Sequence, residues 1–110
     1  DMSRLAAHLH DTQALGLANA TAALQAGVRT FDTSVGGLGG CPFAPGAAGN
    51  LSTEDLVFMA WKVGLGTGVD FGRLWEVVYA LERDIGRPIG GRIRQWWEST
   101  QDHDPRVDFS

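Results

Sequence analysis

Two histidines and a cysteine are the side chains here whose types and spacing suit chemistry. His8-Leu9-His10 sets two imidazoles two residues apart. On a strand such residues share a face, because side chains alternate. Both rings can then meet one divalent ion, for which imidazole is a common ligand. The plainer reading is two polar residues leaving a strand end, with Asp11 capping the next helix; H-x-H is a short pattern. Cys41 is the only cysteine, and it stands in a glycine-rich run. Gly37, Gly39 and Gly40 precede it, and glycine lets backbone approach a ligand closely. A loop this long in a compact domain is usually a lid or a binding element. A lone cysteine can equally be a small buried hydrophobe, so both readings stay open. Asn50 could offer its amide oxygen to a metal, or simply close a turn onto its own backbone. Asp32, on a strand face with Thr30 and Ser34, needs a partner for its carboxylate. It is read, with Asp11, as a support and not as a ligand.

The elements that must position these residues follow from periodicity. Residues 4–10 read as a short strand, with Leu5, Ala7 and Leu9 on one face and Ala6, His8 and His10 on the other. Asp11-Thr12 offers a helix N-cap. Leu17, Ala20 and Leu24 then form one helical stripe, stopped at Gly27. Residues 28–35 read as a second strand, so the unit is β-α-β with parallel strands. The next helix has Ser52 as cap, Asp55 at its third position and a Leu51–Leu56 staple. Its expected buried stripe is Leu56, Met59 or Ala60, and Val63. Asp70 caps another helix, with Phe71, Leu74, Val78, Leu81 and Ile85 on one face, closed by Gly86. Arg87-Pro88 forces a break. A short amphipathic helix over residues 91–100 carries Ile93, Trp96 and Trp97. The tryptophans are expected to serve packing or a subunit interface.

Composition bounds the rest. The chain has 110 residues, 44% of them apolar and 20% charged, with a net charge of −4. That is too apolar for disorder, and no apolar run reaches the ~18 residues that span a bilayer. An acidic pI of about 5.1 argues against nucleic acid or a membrane surface as partner. One cysteine excludes a disulfide framework. The glycines are unevenly spread: six of fifteen fall within residues 36–49. The loop is not a phosphate-binding P-loop, since no Lys-Ser/Thr follows it. Two parallel strands cannot form a covered sheet alone, so either the chain oligomerises or it is part of a larger barrel.

The run His8-Leu-His-Asp-Thr12, the loop Gly36-Gly-Leu-Gly-Gly-Cys-Pro-Phe-Ala44 and Gly49-Asn-Leu-Ser-Thr-Glu-Asp-Leu56 resemble the C-terminal part of the 3-hydroxy-3-methylglutaryl-coenzyme A lyases. The cysteine loop is the most specific motif. The resemblance implies an α/β fold, the C-terminal part of a (β/α)8 TIM barrel. Residues 1–86 would supply barrel β/α units, and 87–110 a helical extension and polar tail. It implies a metal-dependent lyase of leucine degradation and ketone-body formation, with His8, His10 and Asn50 as ligands of Mg²⁺ or Mn²⁺. Cys41 would move a proton in a retro-Claisen cleavage to acetyl-CoA and acetoacetate. The implied partners are an acyl-CoA substrate, a second copy in a homodimer, and the remainder of the barrel. That remainder would bring an Arg-Asp pair on the first strand, the Asp completing the metal site and the Arg stabilising the enolate oxygen. This piece alone is expected to be inactive. Cytoplasm is the expected location in a bacterium, mitochondria in a eukaryote.

One departure lies beside the metal strand: the family often has Tyr-Gly after His-Asp-Thr, where this chain has Gln13-Ala14. Substrate shape is expected to differ there. The rival readings are a Claisen-type synthase of the same superfamily, against which the cysteine loop argues, and a non-catalytic metal-binding or assembly module.

Overall fold

The computed structural model describes residues 1–39 and 49–101. Strands β1 (Ala6–His8) and β2 (Thr30–Asp32) pair in parallel, with Ala6 opposite Thr30, Ala7 opposite Phe31 and His8 opposite Asp32. Both strands are shorter than their apolar runs suggest. Ala7 and Phe31 are half-buried on one face, while Ala6, His8, Thr30 and Asp32 are exposed on the other. The alternation expected for His8 therefore holds.

Helix α1 (Gly16–Gln25) connects the strands and starts later than Asp11-Thr12 suggests. Asp11 still serves its first turn: Oδ1 accepts from the Gly16 N–H at 3.0 Å. The intervening residues close a turn, with Ala14 N–H donating to the Asp11 carbonyl. Ala14 pays for that turn with a left-handed φ of 63°, a region that disfavours side chains with a Cβ.

Helix α2 (Thr53–Lys62) begins as expected: Ser52 Oγ accepts from the Asp55 N–H at 3.1 Å. Its buried face differs from the expected stripe. Glu54, Asp55, Val57 and Ala60 are buried, and Val63 is 56% exposed. The helix is rotated so that its two carboxylates, which find backbone partners, turn inward. Helix α3 (Phe71–Ile85) starts on Asp70, which accepts from the Arg73 N–H, and ends on Gly86 in the left-handed region. Phe71, Leu74 and Val78 are buried as expected, and so is Trp75, whereas Ile85 is exposed. Helix α4 (Arg94–Gln101) forms three residues later than its amphipathic pattern.

The core joins these helices. Val57 of α2, Phe71, Leu74, Trp75 and Val78 of α3, Ile89, and Trp97 of α4 form one apolar cluster. Phe71 meets the Trp97 ring edge-on at 5.2 Å, an arrangement favoured by the aromatic quadrupole. Residues beyond Gly86 thus share a core with α2 and α3.

Candidate metal centre

The candidate site begins where β1 ends. His8 and His10 lie with ring centroids 5.1 Å apart and planes at 71°. Residues 49–51 return from the glycine loop and run antiparallel to residues 9–11. Leu51 N–H donates to the Leu9 carbonyl at 3.0 Å, and Asp11 N–H to the Gly49 carbonyl at 3.0 Å. These two bonds flank a bridge between His10 and Asn50. The same returning segment then meets the end of β2, through Ser34 N–H to the Leu51 carbonyl and Thr53 N–H to the Ser34 carbonyl. The chain after the loop is therefore wedged between the C-terminal ends of both strands, and Asn50 stands beside His10.

Asn50 is half-buried, and its Nδ2 donates to the Leu38 carbonyl at 3.0 Å. A carbonyl only accepts, so the amide nitrogen faces Leu38 and the oxygen is turned to the other side. Two imidazoles and an oriented amide oxygen are a donor set that fits a divalent ion. Among the described residues no group of three His, Cys, Asp or Glu could hold one, so these donors would leave positions for a carboxylate or water from elsewhere. Gly37 and Gly39 have φ of 71° and 87°. A Cβ on Gly37 would lie 3.2 Å from the Asn50 carbonyl oxygen, and one on Gly39 3.1 Å from Asn50 Nδ2. Glycine at both positions lets the loop base close onto Asn50. Gly40 and Cys41 lie outside the described residues.

The two aspartates differ. Asp32 is exposed and opposite His8, with its Oδ2 3.6 Å from His8 Nδ1, just beyond hydrogen-bond distance. A carboxylate on the far nitrogen of a ligating histidine is a common support. Asp11 makes its side-chain bonds to Gly16 and Arg92. It is 7% exposed, and its Oδ2 accepts from Arg92 Nε at 2.6 Å.

Arg92 was silent in the sequence, because 81 residues separate it from Asp11. Glu54 and Asp55 were silent too, apart from Asp55 at the cap. Glu54 bridges the Gly36 N–H (3.0 Å) and the Gly91 N–H (2.9 Å). Asp55 takes the N–H groups of Arg92 and Ile93, each at 2.9 Å. Those are unpaired donors at the start of α4, where a carboxylate is favourable. Burial pushes the Glu54 carboxyl above its ordinary range, against the lowering effect of its backbone donors. Residues 36–39, 49–50 and 87–92 enclose a cleft of about 360 Å³ beside Asn50 and Asp11.

The HMGL-like family model matches residues 1–80. The chain belongs to the HMGL-like family. It is 42% identical over 98 residues to hydroxymethylglutaryl-CoA lyase YngG of Bacillus subtilis, covering 89% of this chain and 33% of that protein. It is 49% identical over 82 residues to (R)-citramalyl-CoA lyase of Chloroflexus aurantiacus, covering 74% and 26%. A solved HMG-CoA lyase from Acinetobacter baumannii, in complex with coenzyme A and 3-methylmalate, superposes with a TM-score of 0.75 at 43% identity, covering 84% of this chain and 30% of that one. The chain thus spans about a third or less of the relatives it matches. Its HMGL-like fold is that of part of a TIM barrel, which accounts for a two-stranded parallel sheet with an exposed histidine face. The Bacillus subtilis and Chloroflexus aurantiacus relatives are both lyases by name. Among the described residues no helix is long and apolar enough to cross a membrane.

Proposed function

We propose that this chain forms the C-terminal part of a metal-dependent carbon–carbon lyase that cleaves 3-hydroxy-3-methylglutaryl-CoA to acetyl-CoA and acetoacetate. The observation that carries this reading is the His10–Asn50 bridge beside His8 in a chain of the HMGL-like family. His8, His10 and Asn50 hold a divalent ion, Mg²⁺ or Mn²⁺. When bound, such an ion supplies Lewis acidity toward the substrate's hydroxyl and orients it. Asp32 steadies His8. Gly37 and Gly39 allow the loop base to sit close to Asn50, and Gly40 is assigned to the same loop from the sequence alone. Cys41 holds a proton on Sγ. The substrate's tertiary hydroxyl gives its proton to a base from the remainder of the barrel or to solvent, and its C–O bond becomes the carbonyl of acetoacetate. The electron pair of the breaking carbon–carbon bond passes to the thioester fragment, whose carbanionic carbon takes the thiol proton to give acetyl-CoA. Residues 1–86 belong to the barrel and 87–110 to an extension. The protein acts as a homodimer, in the cytoplasm of a bacterium or in mitochondria of a eukaryote.

The test is an assay of the full-length protein for acetoacetate release from 3-hydroxy-3-methylglutaryl-CoA. Activity should disappear with a chelator and return with Mg²⁺ or Mn²⁺, and Cys41→Ser should lower kcat about a hundredfold or more. Chelator-insensitive cleavage, or near-full turnover by Cys41→Ser, contradicts the reading. A second substrate has specific support: the chain is 49% identical to a citramalyl-CoA lyase, and Gln13-Ala14 departs from the usual pattern beside the metal strand. Citramalyl-CoA in the same assay decides between them by the ratio of kcat/KM values.

A further inference from the structure

We propose that residues 91–93 are a positioning strap for the metal centre, with Arg92 as its central residue. The proposal rests on the reading that His8, His10 and Asn50 hold a divalent ion.

The strap reaches both sides of that centre. On one side, Arg92 Nε bonds Asp11 Oδ2 at 2.6 Å, and Arg92 Nη2 bonds the Asp11 carbonyl at 3.3 Å. Asp11 follows His10 directly, and its own N–H makes one of the two backbone bonds that flank the His10–Asn50 bridge. On the other side, Glu54 ties the Gly91 N–H to the Gly36 N–H. Gly36 lies in the 3-10 turn Val35–Gly37, and the next residue, Leu38, presents the carbonyl that orients the Asn50 amide. Asp55 holds the strap between these two anchors through Arg92 and Ile93.

The anchors are buried. Asp11 is 7% exposed, Glu54 0% and Asp55 2%. Charge-assisted bonds of this kind are about twice as strong as neutral ones, and removing one partner leaves a buried charge unpaired. Without Arg92, the Asp11 carboxylate keeps only the Gly16 N–H among the bonds described. It would turn toward water and loosen the backbone at His10. Arg92 touches neither imidazole, so it acts through Asp11. Supports of this kind typically change metal affinity about 10–100-fold when lost.

The test uses Mn²⁺ alone as probe and the full-length protein, with calorimetric Kd and melting temperature for wild type, Arg92→Met and Arg92→Lys. Wild type is expected to bind Mn²⁺, Arg92→Met to bind it about tenfold more weakly or worse, and Arg92→Lys to recover part of that loss by restoring one charged donor. A lower melting temperature with unchanged Kd in Arg92→Met overturns the strap and leaves the metal reading standing. A wild type that binds no Mn²⁺ overturns the metal reading and the strap with it. Where Arg92→Met does not fold, Arg92→Lys is read in its place: a Kd weaker by about threefold or more is expected, and an unchanged Kd overturns the proposal.

Discussion

Trp75 and Trp97 stack across the α3–α4 contact, with centroids 5.8 Å apart and planes 6° from parallel. Both are buried, at 1% and 8% exposure. This pair, with Ile89, supplies the apolar packing of the segment after Gly86 against the helices. Trp97→Ala should therefore cost about 3–5 kcal/mol, read by urea unfolding, and should expose the bond region after Gly86 to protease. A loss below about 1 kcal/mol would assign the docking to the polar bonds instead.

Gly91 sits where no side chain fits. A Cβ there would run into Ser52 Oγ and Asp55 Oδ1, both belonging to buried residues fixed by hydrogen bonds. Gly91→Ala should destabilise by about 1–3 kcal/mol and lower the melting temperature. An unchanged melting temperature would contradict the tight approach of residues 91–93 to the α2 N-terminus.

Ala14 occupies a left-handed φ of 63° at the position where the family often has glycine. Ala14→Gly relieves a strain of about 1–2 kcal/mol but gives back about 0.4–1 kcal/mol through a freer unfolded chain. A net gain of up to about 1.6 kcal/mol is expected from these two effects, seen as a higher melting temperature. Ala14→Val should move it the other way, since a β-branched side chain tolerates positive φ worst.

Glu54 gives a pH signature. Burial, its largest perturbation, raises its carboxyl above the ordinary 4.5, with Asp55 adding in the same direction. The folded state therefore binds this proton more tightly than the unfolded chain, and its contribution to stability falls as pH rises from about 4.5 through the raised value. Glu82 works oppositely: its bonds from Arg94 hold it low, so its contribution is lost as pH falls. Glu54→Gln isolates the first effect. The stability of wild type relative to Glu54→Gln should decline between pH 4 and neutrality, and a flat difference would contradict it.

Much of the site was legible locally. H-x-H on a strand puts His8 and His10 on one face whatever surrounds them, because the strand period is two. Ser52 and Asp70 announce helix starts because caps are satisfied within three residues, and Gly86 announces an end because the left-handed region favours glycine. The family loop around Cys41 was legible as a motif, although Cys41 lies outside the described residues.

Long-range partnerships were not legible. The cap reading puts Asp55 at the third helical position and says nothing of burial, yet Glu54 and Asp55 are buried because residues 91–93, 37 or 38 positions from the carboxylates they meet, offer them N–H groups. That choice rotates α2 and leaves Val63 outside the core. Asp11 read as a cap or as a support to the ligands, and Arg92 gives it a distant partner as well. The sequence by itself determined which residues share a strand face and where helices begin, since those depend on neighbours a few bonds away. Only the tertiary structure decided that Asn50 meets His10 and that Arg92 meets Asp11, since both depend on backbone donors and charges brought together by chain that is distant in sequence.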